Sequence, residues 1–143
     1  MTPGKCTFCA IAGGEIPAHR VMEEDNSVAF LDARPLFPGH VLVIPRAHRE
    51  TMLDLTPGEL AAVFGDAQRL CRAMEVALGA QGTFVAMNNR VSQSVPHLHV
   101  HVVPRRRKDG LRGFFWPRTT YRDDDRMAEV ASVLREAYES QSS

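Results

Sequence analysis

Between residues 97 and 103 the chain reads His-Leu-His-Val-His-Val-Val, three imidazoles alternating with aliphatic side chains. In an extended segment alternate side chains share a face. His97, His99 and His101 are therefore expected to line one side at steps of about 7 Å, while Leu98, Val100 and Val102 enter the core and hold the backbone stiff. One histidine in such a place is ordinary, but three in strict alternation make a chemical row. A neutral imidazole carries a free lone pair near pH 7 and needs little activation as a nucleophile; a ring beside it can donate or accept a proton. The other reactive spacing is the C-x-x-C pair of Cys6 and Cys9. That spacing lets two thiolates meet one tetrahedral ion, with two further ligands required. No thioredoxin-like βαβ pattern surrounds the pair, which argues against its redox reading.

The elements that must position these groups are legible from periodicity and punctuation. Val28 to Leu31 and Val41 to Ile44 are short apolar runs separated by Pro35, Pro38 and Gly39, two strands joined by a turn-rich loop. Thr83 to Met87 reads as a third core strand and Pro96 to Val103 as a fourth. Thr56-Pro57-Gly58-Glu59 sets an N-cap threonine three residues before a glutamate, with proline at the first helical position. Leu60, Val63, Phe64, Ala67, Leu70, Cys71, Met74 and Leu78 then recur at helical steps until Gly79, which predicts a helix from about Pro57 to Leu78. Cys71 on that face reads as core. Met127, Val130, Leu134 and Tyr138 mark a terminal amphipathic helix begun after Asp123 to Asp125. The first residues read as a cap, closed by Gly13-Gly14 and Pro17. Strands flank one long helix without βαβαβ alternation. The expected fold class is α+β, an antiparallel sheet of about five strands with the long helix and the C-terminal helix packed against it.

Bulk composition bounds the partners. The chain has 143 residues, 44% hydrophobic and 24% charged, which suits a single domain over 1–143. Seventeen Lys plus Arg balance seventeen Asp plus Glu. No overall field draws such a protein to nucleic acid or to an anionic membrane, so a bound phosphate must be caught locally. No apolar run approaches the roughly 20 residues that cross a bilayer, and the N-terminal residues lack the apolar stretch of a signal peptide. A cytoplasmic location with reduced thiols is expected, because three cysteines make no disulfide framework. Arg105-Arg106-Arg107-Lys108 is the one charge run, read as a solvated loop after a strand.

The segment from His97 to Val103 resembles the signature of the histidine triad (HIT) family, and other segments agree in order: Ala29-Phe30-Leu31-Asp32, the run from Pro38 to Pro45, Arg46-Ala47-His48, Asn88-Asn89 and Gln93-Ser94-Val95-Pro96. The likeness is to the bacterial Hit-like branch and covers about residues 6–108, leaving about 109–140 as tail and terminal helix. It implies a HIT-like fold and a homodimer. It also implies a nucleotide hydrolase or nucleotidyltransferase that works through a nucleotidyl-histidine intermediate. Its substrate would be a purine nucleoside phosphate in the form of a phosphoramidate, a dinucleoside polyphosphate or an adenylated adduct. By the same resemblance His99 is the nucleophile, with its other ring nitrogen held by a carbonyl. His101 faces the phosphate and the departing group, and His97 and His40 support the site. Asp32 receives the ribose hydroxyls, Phe8, Ile11, Ile16 and Phe30 border the base, and Asn88, Gln93 and Ser94 orient the phosphate. Cys6, Cys9, His48 and His97 match a structural zinc set of several bacterial members, and no organic cofactor is implied.

The sequence also departs from that pattern. The loop between Asn88 and His97 is about two residues short, and Ser92 stands where glycine usually precedes the glutamine. Serine restricts φ where glycine permits close backbone approach to a phosphate, and Asn88 and Asn89 could exchange roles. Two further functions stay open: a nucleotide-binding sensor with vestigial chemistry, and a zinc hydrolase using an H-x-H pair, although no carboxylate base flanks the triad. His19 has no evident partner and reads as a surface residue. The aromatic run in Gly113-Phe114-Phe115-Trp116-Pro117-Arg118 suits closure over a leaving group, a dimer seam or local packing.

Overall fold

The structure, a computed structural model, describes residues 5–112 and 117–141. Contacts group the chain into two compact units, 1–109 and 110–143. The first unit opens with α1 (Thr7–Ala12), whose N-cap is Cys6; the Cys6 sulfur accepts the Cys9 N–H and Gly13 ends the helix. Strands β1 (Arg20–Glu23), β2 (Ser27–Leu31) and β3 (Val41–Pro45) form an antiparallel meander. A 3-10 turn at Met52–Asp54 leads into α2 (Pro57–Leu78). Then β4 (Gly82–Ala86) and β5 (Val100–Arg105) follow, and β5 inserts between β3 and β4. The result is a five-stranded antiparallel sheet in the order β1-β2-β3-β5-β4.

Local chemistry explains the long helix. The Thr56 hydroxyl accepts the Glu59 N–H at 3.1 Å, Pro57 occupies the first turn, and Gly79 closes the helix in the left-handed region at φ +64°. By contrast β1 carries no apolar run. Its residues alternate half-buried and exposed, with a bulge between Arg20 and Met22, as suits an edge strand.

The period of two sorts the sheet into faces. Ala29, Val41, Val43, Val100 and Val102 meet Val63, Ala67, Leu70 and Met74 of α2. Val28, Phe30, Leu42 and Ile44 meet Cys6, Phe8, Ile11 and Ala12. The N-terminal segment is therefore more than a cap, since its apolar residues close the second core. Each fully buried aliphatic side chain contributes about 1.5–3 kcal/mol of transfer free energy. Because Val100 and Val102 face α2, His101 between them faces the α1 side. Leu42 pairs with His101, and this register brings His40, two residues before Leu42, beside the same ring.

The triad strand is shorter than its alternation suggests. β5 begins at Val100 rather than at Pro96, so His97, at a bend whose N–H bonds the Val95 carbonyl at 2.8 Å, and His99 lie in a lead-in before the strand. The partner strand β3 ends at Pro45. Beyond it the Leu98 N–H pairs instead with the Arg49 carbonyl at 2.7 Å, and the Pro45 carbonyl is taken by the His97 ring.

The basic run is half structural. Arg105 grips Asp109 through two bonds, at 2.6 and 2.9 Å. Arg106 donates to the Gly79 carbonyl at 2.9 Å and to the Leu78 carbonyl, completing the α2 C-terminus. In the second unit, α3 (Asp124–Glu139) starts at the N-cap Asp123. Its apolar positions Met127, Leu134 and Tyr138 are exposed, and none of its residues is buried. Gly113-Phe114-Phe115-Trp116 lies outside the described residues. Among the described residues no helix is long and apolar enough to cross a membrane.

Candidate functional site

A cleft of about 480 Å³ opens on the α1 side of the sheet. Phe8, Ile11, Phe30 and Leu42 give it apolar walls, and Asp32, Ser94, His99 and His101 add polar groups. It also takes in Pro17, Ala18 and His19, which the sequence did not mark. The His19 carbonyl accepts the Leu31 N–H at 2.9 Å, which places His19 across from the residue before Asp32. That pairing lies just before β1, the strand without a hydrophobic signal. Ile16 is not among the lining residues; it is 38% exposed, and its N–H is tied back to the Ala10 carbonyl.

His99 is 5% exposed, with its Nδ1 2.9 Å from the His97 carbonyl. A carbonyl only accepts, so in the neutral ring the proton sits on Nδ1 and the Nε2 lone pair is bare. The Phe8 ring meets His99 edge-on at 5.1 Å and His101 lies 5.2 Å away, centroid to centroid. His101 Nδ1 is 2.9 Å from His40 Nε2, and His40 Nδ1 receives the Leu36 N–H at 3.0 Å. Asp32 Oδ2 stands 3.6 Å from His40 Nε2, while its other oxygen accepts the Arg34 N–H at 2.9 Å. Burial lowers the His40 pKa below the ordinary histidine range, with Asp32 opposing. Burial pulls His101 down to about 4, helped by His99 and His40. Both rings are therefore neutral at pH 7.

His97 belongs to a second cluster and does not line the cleft. Its Nε2 donates to the Pro45 carbonyl at 2.8 Å, so its Nδ1 is bare, 3.4 Å from both Cys6 Sγ and Cys9 Sγ. Cys9 Sγ is 3.3 Å from His48 Nδ1, and the four donor atoms lie within 4.8 Å of one another. A tetrahedral zinc with Zn–S of about 2.3 Å and Zn–N of about 2.0 Å needs donors spaced in this range. Without a cation the Cys9 thiol is hard to ionise: burial, then the hydrogen bond and charge of Cys6, push it up to about 11. Burial holds His97 down at about 4, which keeps its Nδ1 lone pair available.

The loop before the triad is stitched from within. Asn88 Nδ2 donates to the Ser92 carbonyl at 3.1 Å. Gln93 Oε1 accepts the Arg90 N–H at 2.8 Å and its Nε2 donates to the Glu50 carbonyl at 2.6 Å. Asn89 Oδ1 holds the Met52 N–H at 2.8 Å. Of the three residues expected at the phosphate, only Ser94 lines the cleft; Asn88 and Gln93 build the loop that carries it. Arg90 and Ser92 adopt positive φ, +73° and +63°. A non-glycine residue there costs about 1–2 kcal/mol. Ser92→Gly should accordingly stabilise the protein by about 1 kcal/mol, since Asn88 bonds the backbone carbonyl and loses nothing. An unchanged or lowered denaturation midpoint would contradict this.

Comparison with known proteins agrees with the fold. Residues 13–108 match the family model of the HIT domain. A HIT-like protein of Mycobacterium tuberculosis is 39% identical over 137 residues, 92% of each chain. The adenosine 5'-monophosphoramidase of Schizosaccharomyces pombe is 36% identical over 114 residues, 78% of this chain and 83% of its own. A zinc-bound histidine triad family protein from Mycobacterium smegmatis has a TM-score of 0.73 at 35% identity, over 92% of this chain and 99% of that one. With the domain match running through the whole sheet and ending just past the strand that bears His101, the chain belongs to the histidine triad (HIT) family.

Proposed function

We propose that this protein is a nucleotidyl hydrolase or transferase that passes a nucleoside monophosphoryl group through a transient bond to His99 Nε2. The observation that carries this reading is the bare Nε2 of His99, fixed by the His97 carbonyl, in a cleft that also presents Asp32 and aromatic walls. Phe8, Ile11 and Phe30 offer a slot for a flat purine. The Asp32 carboxylate has the two acceptor oxygens that a ribose diol requires. His101 and Ser94 supply neutral donors for phosphoryl oxygens, which suits a chain of zero net charge. The monophosphoramidase activity of the fission yeast relative supports hydrolysis at a nucleoside phosphate.

Cys6, Cys9, His48 and His97 would hold a structural zinc. Such an ion supplies no chemistry to the substrate; it ties α1 to the lead-in that bears the nucleophile. His97 turns to the cysteines, so the H-x-H pair does not share a catalytic ion. Metal-ready thiols fit a reducing compartment, the cytoplasm. A homodimer is implied by the resemblance; light scattering should return twice the chain mass.

The test is rapid mixing with a labelled nucleoside phosphate and trapping under alkaline conditions. An acid-labile nucleotide on His99 is expected. The sensor reading has one observation in its favour, the internal use of the Asn88 and Gln93 amides. It predicts saturable binding with no adduct.

A further inference from the structure

Leu36 is a loop residue without a reactive side chain, yet its backbone N–H points at His40 Nδ1 from 3.0 Å. An amide N–H can only donate, so a neutral His40 must leave Nδ1 bare and carry its proton on Nε2. That proton has an acceptor 2.9 Å away, His101 Nδ1. His101 in turn must carry its own proton on Nε2. Three polar groups in series thus have one consistent arrangement of protons, and its origin is a main-chain amide that cannot titrate.

We propose that the Leu36 amide, acting through His40 as a positioning residue, locks His101 as a neutral Nε2–H donor that offers the leaving atom a hydrogen bond but no net proton. The proposal rests on the reading of His99 as nucleophile for its consequence, though not for the lock itself. Adding a proton to the pair shows why. A His101 with two protons presents Nδ1–H to His40 Nε2–H. His40 must then shift its proton to Nδ1, where the Leu36 N–H already points. Every state with three protons on the two rings contains one donor facing a donor. His40 is 3% exposed, so solvent offers no relief, and such a buried unpaired donor costs about 1–3 kcal/mol. The titratable groups facing the pair are Asp32, 3.6 Å from His40 Nε2, and the His99 ring. Asp32 favours the extra proton and His99 opposes it.

The chemical step then balances without His101 losing its proton. The His99 Nε2 lone pair forms the N–P bond, and the bond from phosphorus to the leaving atom breaks with its electron pair on that atom. In the second half water oxygen bonds phosphorus, the P–N pair returns to Nε2, and the water proton passes to solvent. The group that departs must therefore be stable as an anion, or must carry its proton already, as a protonated phosphoramidate nitrogen does. Leaving groups of high pKa, such as simple alkoxides, are excluded by the lock rather than by the size of the cleft.

The test uses the purified protein with ¹⁵N-labelled histidine. Nitrogen–proton correlation spectra at pH 7 should show Nδ1 bare and Nε2 protonated on both His40 and His101. A proton on His101 Nδ1 overturns the proposal whatever the enzyme does. Leu36→Pro deletes the donor, and Leu36→Ala retains it. In Leu36→Pro the His101 titration midpoint should rise by about one pH unit, the equivalent of one buried unpaired donor, and in Leu36→Ala it should not move. Across aryl esters of a nucleoside monophosphate, wild-type rates should fall steeply with leaving-group pKa, and the slope should flatten in Leu36→Pro. An unchanged midpoint in folded Leu36→Pro refutes the lock. Should Leu36→Pro not fold, the wild-type tautomer spectrum still decides. A correct tautomer pattern without any His99 adduct sinks the nucleophile reading and leaves the lock standing.

Discussion

His99→Ala is expected to abolish turnover, by on the order of 10⁴-fold or more in kcat, while nucleotide affinity stays within about tenfold of wild type. No neighbour can take over the attack. His101 has a proton on the nitrogen it turns from His40, and its other nitrogen is occupied by the His40 Nε2–H. His97 is committed at both nitrogens, to the Pro45 carbonyl and to the cysteine cluster. Binding survives because Phe8, Phe30 and Asp32 belong to other elements, and Phe8, which meets His99 edge-on, is also packed against Phe30 at 5.6 Å between centroids. The alanine leaves a small gap beside Phe8, a stability loss of about 1–3 kcal/mol, so a thermal melt accompanies the assay. Turnover within tenfold of wild type would end the assignment, and so would a wild-type protein that never yields the adduct.

Cys9→Ser should remove the metal, measured by elemental analysis of protein purified without added ions, and lower unfolding stability by several kcal/mol, about 3 or more. The reason lies in α1. Six residues are too few to hold a helix in water on their own. They stay because Phe8, Ile11 and Ala12 dock on β2 and β3 and because Cys6 and Cys9 reach across to His48 and His97. Without the ion that set becomes two thiols against two imidazoles, a weak joint. Acid should act in the same direction. The ion binds thiolates, and Cys9 is pushed up to about 11 in its absence, so metal and protons compete and falling pH releases the metal. Fewer than about half an equivalent of zinc in wild type, with Cys9→Ser as stable as the parent, would refute the centre.

How far each feature was legible follows from where its determinants lie. The long helix carries its own signals, a capping threonine, an early proline and a closing glycine, all within its span, and its bounds are as expected. β1 was missed because its half-buried alternation contains no apolar run, and with it went the cleft position of His19. The triad was legible as a pattern but not as an element. The β3–β5 ladder stops at the Val43–Val100 pair, and the backbone carbonyl that takes the His97 ring lies 52 residues away in sequence, at Pro45; nothing near His97 announces either.

The sequence alone determined the kind of protein this is: which residues alternate, which thiols stand three apart, which blocks follow one another, and hence the family and its chemical vocabulary. Only the tertiary structure decided the division of labour. It sent His97 to cysteines as many as 91 residues away and His99 and His101 to the cleft, and it turned Asn88 and Gln93 into loop struts. It also set the proton positions, because a tautomer is chosen by whichever donor or acceptor the fold brings to each ring nitrogen. A carbonyl at His97, a carbonyl at Pro45 and an amide at Leu36 are backbone groups that every sequence possesses, and only folding decides where they point.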